Sequence, residues 1–231
     1  MEKKTVSLTP DHPDAIQTVE LLQRRWLTEN TFEIELTRPP ALQFIPGQTI
    51  RLIHESIERY YSLLSAPNDQ SLALCVYHVP RGNFSPFLAD AQIGARFSLS
   101  GPHGYFIFNP SSRQPVFVAT GTGIAPFVSM TRSGVTDFTL LHEVEIAEDL
   151  YYQDIFREIS KKYVPCLLYP SAADPSPPDT FHGKAAGFIE NNLPPANYDF
   201  YLCGERQMTH DVTLLVDQHF AGSYVFKEVF Y

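Results

Sequence analysis

The rhythm of apolar and polar positions changes once along this chain, near residue 112. From Thr18 to about Gly101, short runs rich in β-branched and aromatic residues alternate with turn residues: Val19–Arg25, Thr31–Leu36, Thr49–His54, Arg59–Leu64, Leu72–Val79 and Arg96–Ser100. Strands at this spacing predict a closed antiparallel barrel. Pro39-Pro40 and Pro46-Gly47 punctuate it, and a short helix is predicted over Ser85–Asp90, after a Gly-Asn turn. Gly101 to Arg113 reads as a connection. Beyond it strand and helix alternate: Val116–Ala119 then Ile124–Arg132, Phe138–Val144 then Tyr151–Lys162, Cys166–Tyr169 then a long loop, Phe200–Cys203 then Met208–His219, and a final Tyr224–Phe230. That alternation predicts a parallel sheet covered by helices. The expected organisation is a mobile tail over 1–16, a β-barrel domain over 17–110 and an α/β domain over 111–231. Pro170 to His182, with four prolines, is expected to be loop.

Composition narrows the function classes. At 231 residues and 44% hydrophobic, the chain can bury two modest cores. A net charge of −9 without any Lys/Arg cluster argues against binding nucleic acid. Cys75, Cys166 and Cys203 are too far apart for zinc or iron–sulfur spacing, so no metal site is expected, and an odd thiol fits a reducing compartment. The amino terminus lacks an apolar leader, and the longest uncharged run, Gln114 to Thr131, is interrupted by Gly121, Gly123 and Pro126. These features predict a soluble, cytoplasmic protein.

Three segments carry candidate chemistry. In VFVATGTGIAP, residues 116–126, an apolar strand runs into a Gly-rich turn and an apolar helix. Thr120, Gly121, Thr122, Gly123 and Ile124 form a predicted nucleotide cradle, whose glycines admit a pyrophosphate and whose following amides offer donors to it. The spacing differs from G-x-G-x-x-G, so this is not the usual dinucleotide fingerprint. In Arg59-Tyr60-Tyr61-Ser62, alternation puts Arg59 and Tyr61 on one face and Tyr60 and Ser62 on the other. Arg81-Gly82-Asn83-Phe84-Ser85 is a turn able to bind a second phosphate. Taken singly, these segments also fit an ordinary strand–turn–helix, barrel core and a hairpin turn.

In order and spacing, Arg59-x-Tyr61-Ser62, Pro80-x-Gly82-Asn83-x-Ser85-Pro86, Ala119-Thr120-Gly121-Thr122, Cys203-Gly204-x-x-Gln207-Met208 and an aromatic carboxyl end resemble the ferredoxin–NADP reductase family, most closely its bacterial ferredoxin or flavodoxin reductases. The resemblance spans about residues 17 to 231. It implies a Greek-key barrel holding FAD and an α/β domain holding NADH or NADPH. Arg59 would then neutralise the FAD pyrophosphate. Tyr61, beside Tyr60, would pack against the flavin, and Ser62 would face its N5. Gly82, Asn83, Phe84 and Ser85 would bind the FAD phosphates, with Tyr77, His78 and Val79 lining the adjacent strand; as a lone histidine, His78 also reads as structural. Gly121 to Ile124, Cys203, Gly204 and Met208 would meet the nicotinamide nucleotide. Glu228 would stand near the redox centre, with Phe230 and Tyr231 against FAD. Ser62, Cys203 and Glu228 are the implied catalytic residues.

The same resemblance bears on cofactor choice and partner. Relatives that prefer NADPH present arginines to its 2′-phosphate after the second and third strands of this domain, whereas here those stretches read Leu141-His142-Glu143-Val144-Glu145 and Tyr169-Pro170-Ser171-Ala172-Ala173. Glu145 in place of an arginine favours NADH. The implied activity is hydride exchange between NAD(P)H and FAD, with single electrons passing to ferredoxin, flavodoxin or another small electron-transfer protein. Arg24, Arg25, Arg38 and Arg51 are candidate docking charges. The alternatives are a reductase component of an oxygenase, a free-flavin reductase and a nucleotide-binding subunit without turnover.

Overall fold

The computed structural model describes residues 14–169 and 176–230. Its first half is an antiparallel sheet of β1 (Gln17–Trp26), β2 (Thr31–Thr37), β3 (Thr49–His54), β4 (Ile57–Ser62), β5 (Ser71–Tyr77) and β6 (Arg96–His103), in the order β4-β3-β6-β1-β2-β5. A bridge between Leu63 and Leu74 joins the two outer strands, closing a six-stranded Greek-key barrel. Period-two patterning fills it: Phe32, Ile34 and Leu36 from β2 and Ile50 and Leu52 from β3 all point into one core. Helix α1 (Ser85–Asp90) plugs one end with Leu88.

The second half is an all-parallel sheet of β7 (Gln114–Thr120), β8 (Thr139–Val144), β9 (Lys162–Leu167), β10 (Phe181–His182), β11 (Tyr198–Glu205) and β12 (Tyr224–Phe230), in the order β10-β9-β8-β7-β11-β12. Helices α2 (Ala125–Arg132) and α3 (Gln153–Ile159) contribute to the apolar cluster on one face, and α4 (Ala185–Asn192) and α5 (Arg206–His219) to that on the other. The chain runs outward from β7 through β10, then returns to β11 on the other side. The switch point of the sheet therefore lies between the carboxyl ends of β7 and β11, where parallel sheets open a crevice.

The halves share one apolar cluster. Strand β5 is buried on both faces: Leu72, Leu74 and Val76 face the barrel interior, while Ala73 and Cys75 join Leu64 in the cluster of Phe117, Ile124, Phe127 and Tyr151. Polar contacts cross the same seam, with Arg132 of α2 paired to Asp69 at 2.9 Å and the Ser129 hydroxyl donating to the Ser65 carbonyl.

The observed elements differ from the predicted ones in four places. The expected helix Tyr151–Lys162 is shorter, because Tyr152 adopts a left-handed conformation (φ 63°) before α3 and because Lys162 already begins β9. The strand expected over Cys166–Tyr169 begins earlier and ends at Leu167, because Pro165, which reads as its boundary, lies within it, opposite His142. Helix α4 falls where no helix was expected. Its first amide, on Ala185, is capped by the Glu143 carboxylate at 2.6 Å, from 42 residues away. Of the expected Pro170–His182 loop, Phe181–His182 forms β10 and residues 170–175 lie outside the described residues, as does most of the expected tail. Among the described residues, no helix is long and apolar enough to cross a membrane.

Candidate functional site

The Gly-rich turn lies at the switch point. Strand β7 ends at Thr120, a single 3₁₀ turn spans Gly121–Ile124, and α2 follows at once. Gly121 (φ 48°) and Thr122 are partly exposed, whereas Gly123 and Ile124 are buried. A methyl group on Gly123 would stand 2.6 Å from the Cys203 carbonyl carbon and 2.7 Å from the Gly204 Cα. Gly204, at φ 131°, presses as closely on Thr120, whose Oγ1 accepts a hydrogen bond from the Glu205 amide at 2.6 Å. The two glycine-containing motifs thus interlock. Gly123 serves close backbone packing, and Gly121 and Thr122 are left to face a ligand.

A second arrangement lies where the barrel meets the last strand. The hydroxyl of Ser62, buried at the end of β4, donates to Glu228 Oε1 at 2.8 Å across 166 residues. A Cβ on Gly104 would be 3.7 Å from both Glu228 Oε2 and Thr49 Oγ1, so the backbone after β6 leaves room beside this pair. Burial raises the Glu228 carboxyl above its ordinary range, and the Ser62 hydrogen bond offsets part of that rise. Cys203 is Glu228's register partner on β11 and is fully buried. Burial, followed by the nearby Glu228 charge, pushes its thiol well up. Cys203 is thereby favoured as the neutral thiol.

On the outer barrel strand, Arg59 and Tyr60 are exposed and Tyr61 is partly buried, its ring 6.2 Å from Phe84. Tyr77 and Val79 are exposed, as is Asn83 in the turn that includes Gly82. Ser85 is buried, and its oxygen accepts the Val79 amide at 2.9 Å. Several expected ligand-facing side chains are directed elsewhere. Phe84 belongs to the barrel core, so only its backbone can meet a ligand. Met208 packs into the cluster beneath the parallel sheet, away from the crevice. His78 sits edge-on to Trp26 at 5.7 Å, with its amide bonded to the Asn30 carbonyl. Phe230 is half-buried against the shared cluster, and Tyr231 lies outside the described residues.

Sequence reasoning passed over the floor of the cradle. His142, fully buried on β8, lies 3.2 Å through Nδ1 from the Tyr163 hydroxyl, and among the described residues its Nε2 has no hydrogen-bond partner. Burial lowers its pKa to about 4, outweighing the opposing influence of the Gly121 backbone, so the ring is neutral. Tyr151 stacks edge-on against it at 5.8 Å, its hydroxyl 3.5 Å from where a Gly121 Cβ would be. Glu145 is exposed at the end of β8. The four candidate docking arginines are tied into internal contacts: Arg24 to the Ala91 carbonyl, Arg25 to Glu33, Arg38 to the Leu42 and Asp69 carbonyls, and Arg51 to Ser100 and Glu58.

Comparison with known proteins follows this division of the chain. Residues 19–108 match the oxidoreductase FAD-binding domain family, and residues 117–213 the oxidoreductase NAD-binding domain family. The chain belongs to the ferredoxin–NADP reductase family. Among the reductases it resembles, component C of methane monooxygenase from Methylosinus trichosporium is 34% identical over 62% of this chain and 49% of its own length. The toluate 1,2-dioxygenase electron transfer component of Pseudomonas putida is 29% identical over 82% of this chain and 60% of its own. The chain thus spans about half to three-fifths of the length of these relatives. A ferredoxin NADP+ reductase from Neisseria gonorrhoeae, solved with bound FAD and NADP, superposes with a TM-score of 0.81 over 94% of this chain and 99% of its own, at 23% identity.

The residues suit an FAD. Arg59 has, among the described residues, only the Glu58 carbonyl as a partner, and so keeps donors for a pyrophosphate. Tyr61 and Tyr77 offer aromatic surface, and the Ser62–Glu228 pair supplies polar groups at the seam.

Proposed function

We propose that this reductase transfers hydride between a nicotinamide nucleotide and FAD, and single electrons between FAD and a small electron-transfer protein. The observation that carries the reading is the part-buried Ser62–Glu228 hydrogen bond, which joins the end of barrel strand β4 to the last strand of the nucleotide-binding sheet. FAD, when bound, takes up two electrons as hydride and can release them one at a time. Arg59 and the Gly82–Ser85 turn hold its phosphates, Tyr61 holds its ring, and Gly121, Thr122 and Gly204 hold the nucleotide. Ser62 and Glu228 keep a proton within the seam, with the raised Glu228 pKa allowing the carboxyl to carry it nearer neutrality than an exposed glutamate does. Cys203 fills the slot beside Glu228 as a neutral thiol.

The favoured nucleotide is NADH. Exposed Glu145 at the end of β8 and exposed Glu205 at the end of β11 support this reading, since a carboxylate beside the nucleotide would repel a 2′-phosphate. The acceptor is a ferredoxin or flavodoxin. With Arg24, Arg38 and Arg51 taken up by internal contacts and Arg25 alone exposed, its approach is assigned to Tyr60, packed 5.5 Å from His103, and Tyr105, which is 96% exposed. The names of the methane monooxygenase and toluate dioxygenase relatives favour an oxygenase system as the second reading.

An anaerobic titration of the FAD-loaded protein with NADH and NADPH tests this. The flavin band should bleach at lower NADH than NADPH, and Glu145→Arg should narrow or invert the preference. Preference for NADPH in the unaltered protein would overturn the nucleotide assignment; a flavin that stays oxidised with both would overturn the function.

A further inference from the structure

Among the described residues, four other than glycine have a left-handed backbone: Glu55, Asp137, Tyr152 and Asp179. Three are exposed, small or flexible acidic residues, of which the two aspartates are types that tolerate this region. Tyr152 is the exception. A bulky aromatic residue, half-buried at the start of α3, it holds φ at 63° among the residues that join the two halves. Strain of this kind persists where surrounding contacts over-determine it.

Those contacts run from barrel to cradle. The Tyr152 hydroxyl donates to Glu33 Oε2 on β2 at 2.7 Å, across 119 residues. The same Oε2 also meets the exposed Arg25 guanidinium at 3.5 Å, and the register partner of Glu33 on β5 is the buried Cys75. The Tyr152 ring packs at 5.7 Å, edge-on, against Tyr151, whose hydroxyl approaches Gly121 and whose ring contacts His142 beneath the same turn. The left-handed step turns the adjacent tyrosines apart: the Tyr152 hydroxyl reaches Glu33 of the barrel, while Tyr151 packs in the shared cluster with its hydroxyl towards Gly121.

We propose that Tyr152, through its hydrogen bond to Glu33, is a positioning residue for hydride transfer that sets the nucleotide cradle against the flavin-binding barrel. The inference rests on the hydride-transfer reading above. Transfer between two bound rings depends steeply on their approach, and a displacement of about 1 Å can cost on the order of a hundredfold in rate. Loss of this brace should therefore slow the transfer step more than it weakens binding.

The test is anaerobic stopped-flow reduction by NADH of FAD-loaded wild type, Tyr152→Phe, Glu33→Gln and Glu33→Ala, with FAD content and nucleotide Kd measured on each. The expected result for Tyr152→Phe is a limiting bleaching rate lowered about tenfold or more, with Kd and FAD content changed by less than about threefold. Glu33→Ala should match it, Glu33→Gln, which still accepts the hydrogen bond, should retain most of the rate, and Tyr152→Phe combined with Glu33→Ala should be no slower than either alone. A wild-type limiting rate in Tyr152→Phe, or a loss that only follows lost FAD, would overturn the brace. A wild type that leaves flavin oxidised would overturn the functional reading itself, a different result seen before any variant is compared.

Discussion

Gly123 shows how one residue can serve a site without touching its ligand. Its missing side chain lets the 3₁₀ turn lie on the Cys203-Gly204 backbone, so Gly123→Ala must push β7 and β11 apart. The expected cost is about 1–3 kcal/mol, typical of overpacking, together with weakened nucleotide binding; chemical denaturation and a nucleotide titration of the same sample check both. Glu228 gives a pH prediction. Its folded pKa is raised by burial, so the folded state favours the protonated carboxyl. That contribution to stability is complete below the unfolded value of about 4.3 and is lost as pH rises through the folded value. Glu228→Gln should therefore flatten the stability profile above pH about 4.3 while slowing flavin reduction, as read by denaturation across pH and by stopped flow. Ser62, Gly121 and Gly204 were legible in the sequence because short motifs surround them. Glu33 and Tyr152 were not, since their pairing spans 119 residues and neither belongs to a motif.

The barrel strands and the β7–α2 unit were legible from periodicity alone, since each buries a face against a local neighbour. Helix α4 was not, and strand β9 was legible only in its second half, since Pro165 reads as a break before the expected Cys166–Tyr169. The cap of α4 is Glu143, supplied by a strand far away in sequence, so no local start signal exists. Replacing it in Glu143→Ala should cost about 1–2 kcal/mol, the range for a lost helix cap, with Glu143→Gln retaining part of the loss because its amide oxygen still accepts; urea denaturation distinguishes the two. Beside it on β8, His142 is neutral in the fold, with a pKa pushed down to about 4 by burial. The unfolded chain takes up that proton near pH 6.5, so stability present above this value is lost as pH falls towards 4, by about 3 kcal/mol. His142→Gln should show a shallower acid limb in a series of urea melts between pH 7 and 4.

At the scale of the whole molecule, the barrel and the parallel sheet are joined by a shared apolar cluster and by the Arg132–Asp69, Tyr152–Glu33 and Ser62–Glu228 contacts. Such a seam favours cooperative unfolding of both halves. Far-UV circular dichroism, reporting mainly on the helices, and release of bound flavin, reporting on the barrel, should follow one coincident thermal transition. Excess FAD should raise it, by about 2.7 kcal/mol at a hundred times Kd. The sequence allowed both sheets to be expected but not their seam, because β5 reads as a barrel strand whether or not a second sheet covers Ala73 and Cys75.

The central claim is that nicotinamide and flavin meet at this seam and exchange hydride there. The most direct measurement is anaerobic single turnover of the FAD-loaded protein with NADH and with NADH deuterated at the transferred C4 position. The account predicts that the flavin band bleaches completely and that deuterium slows the bleaching. A flavin that remains oxidised in the presence of saturating NADH would contradict it.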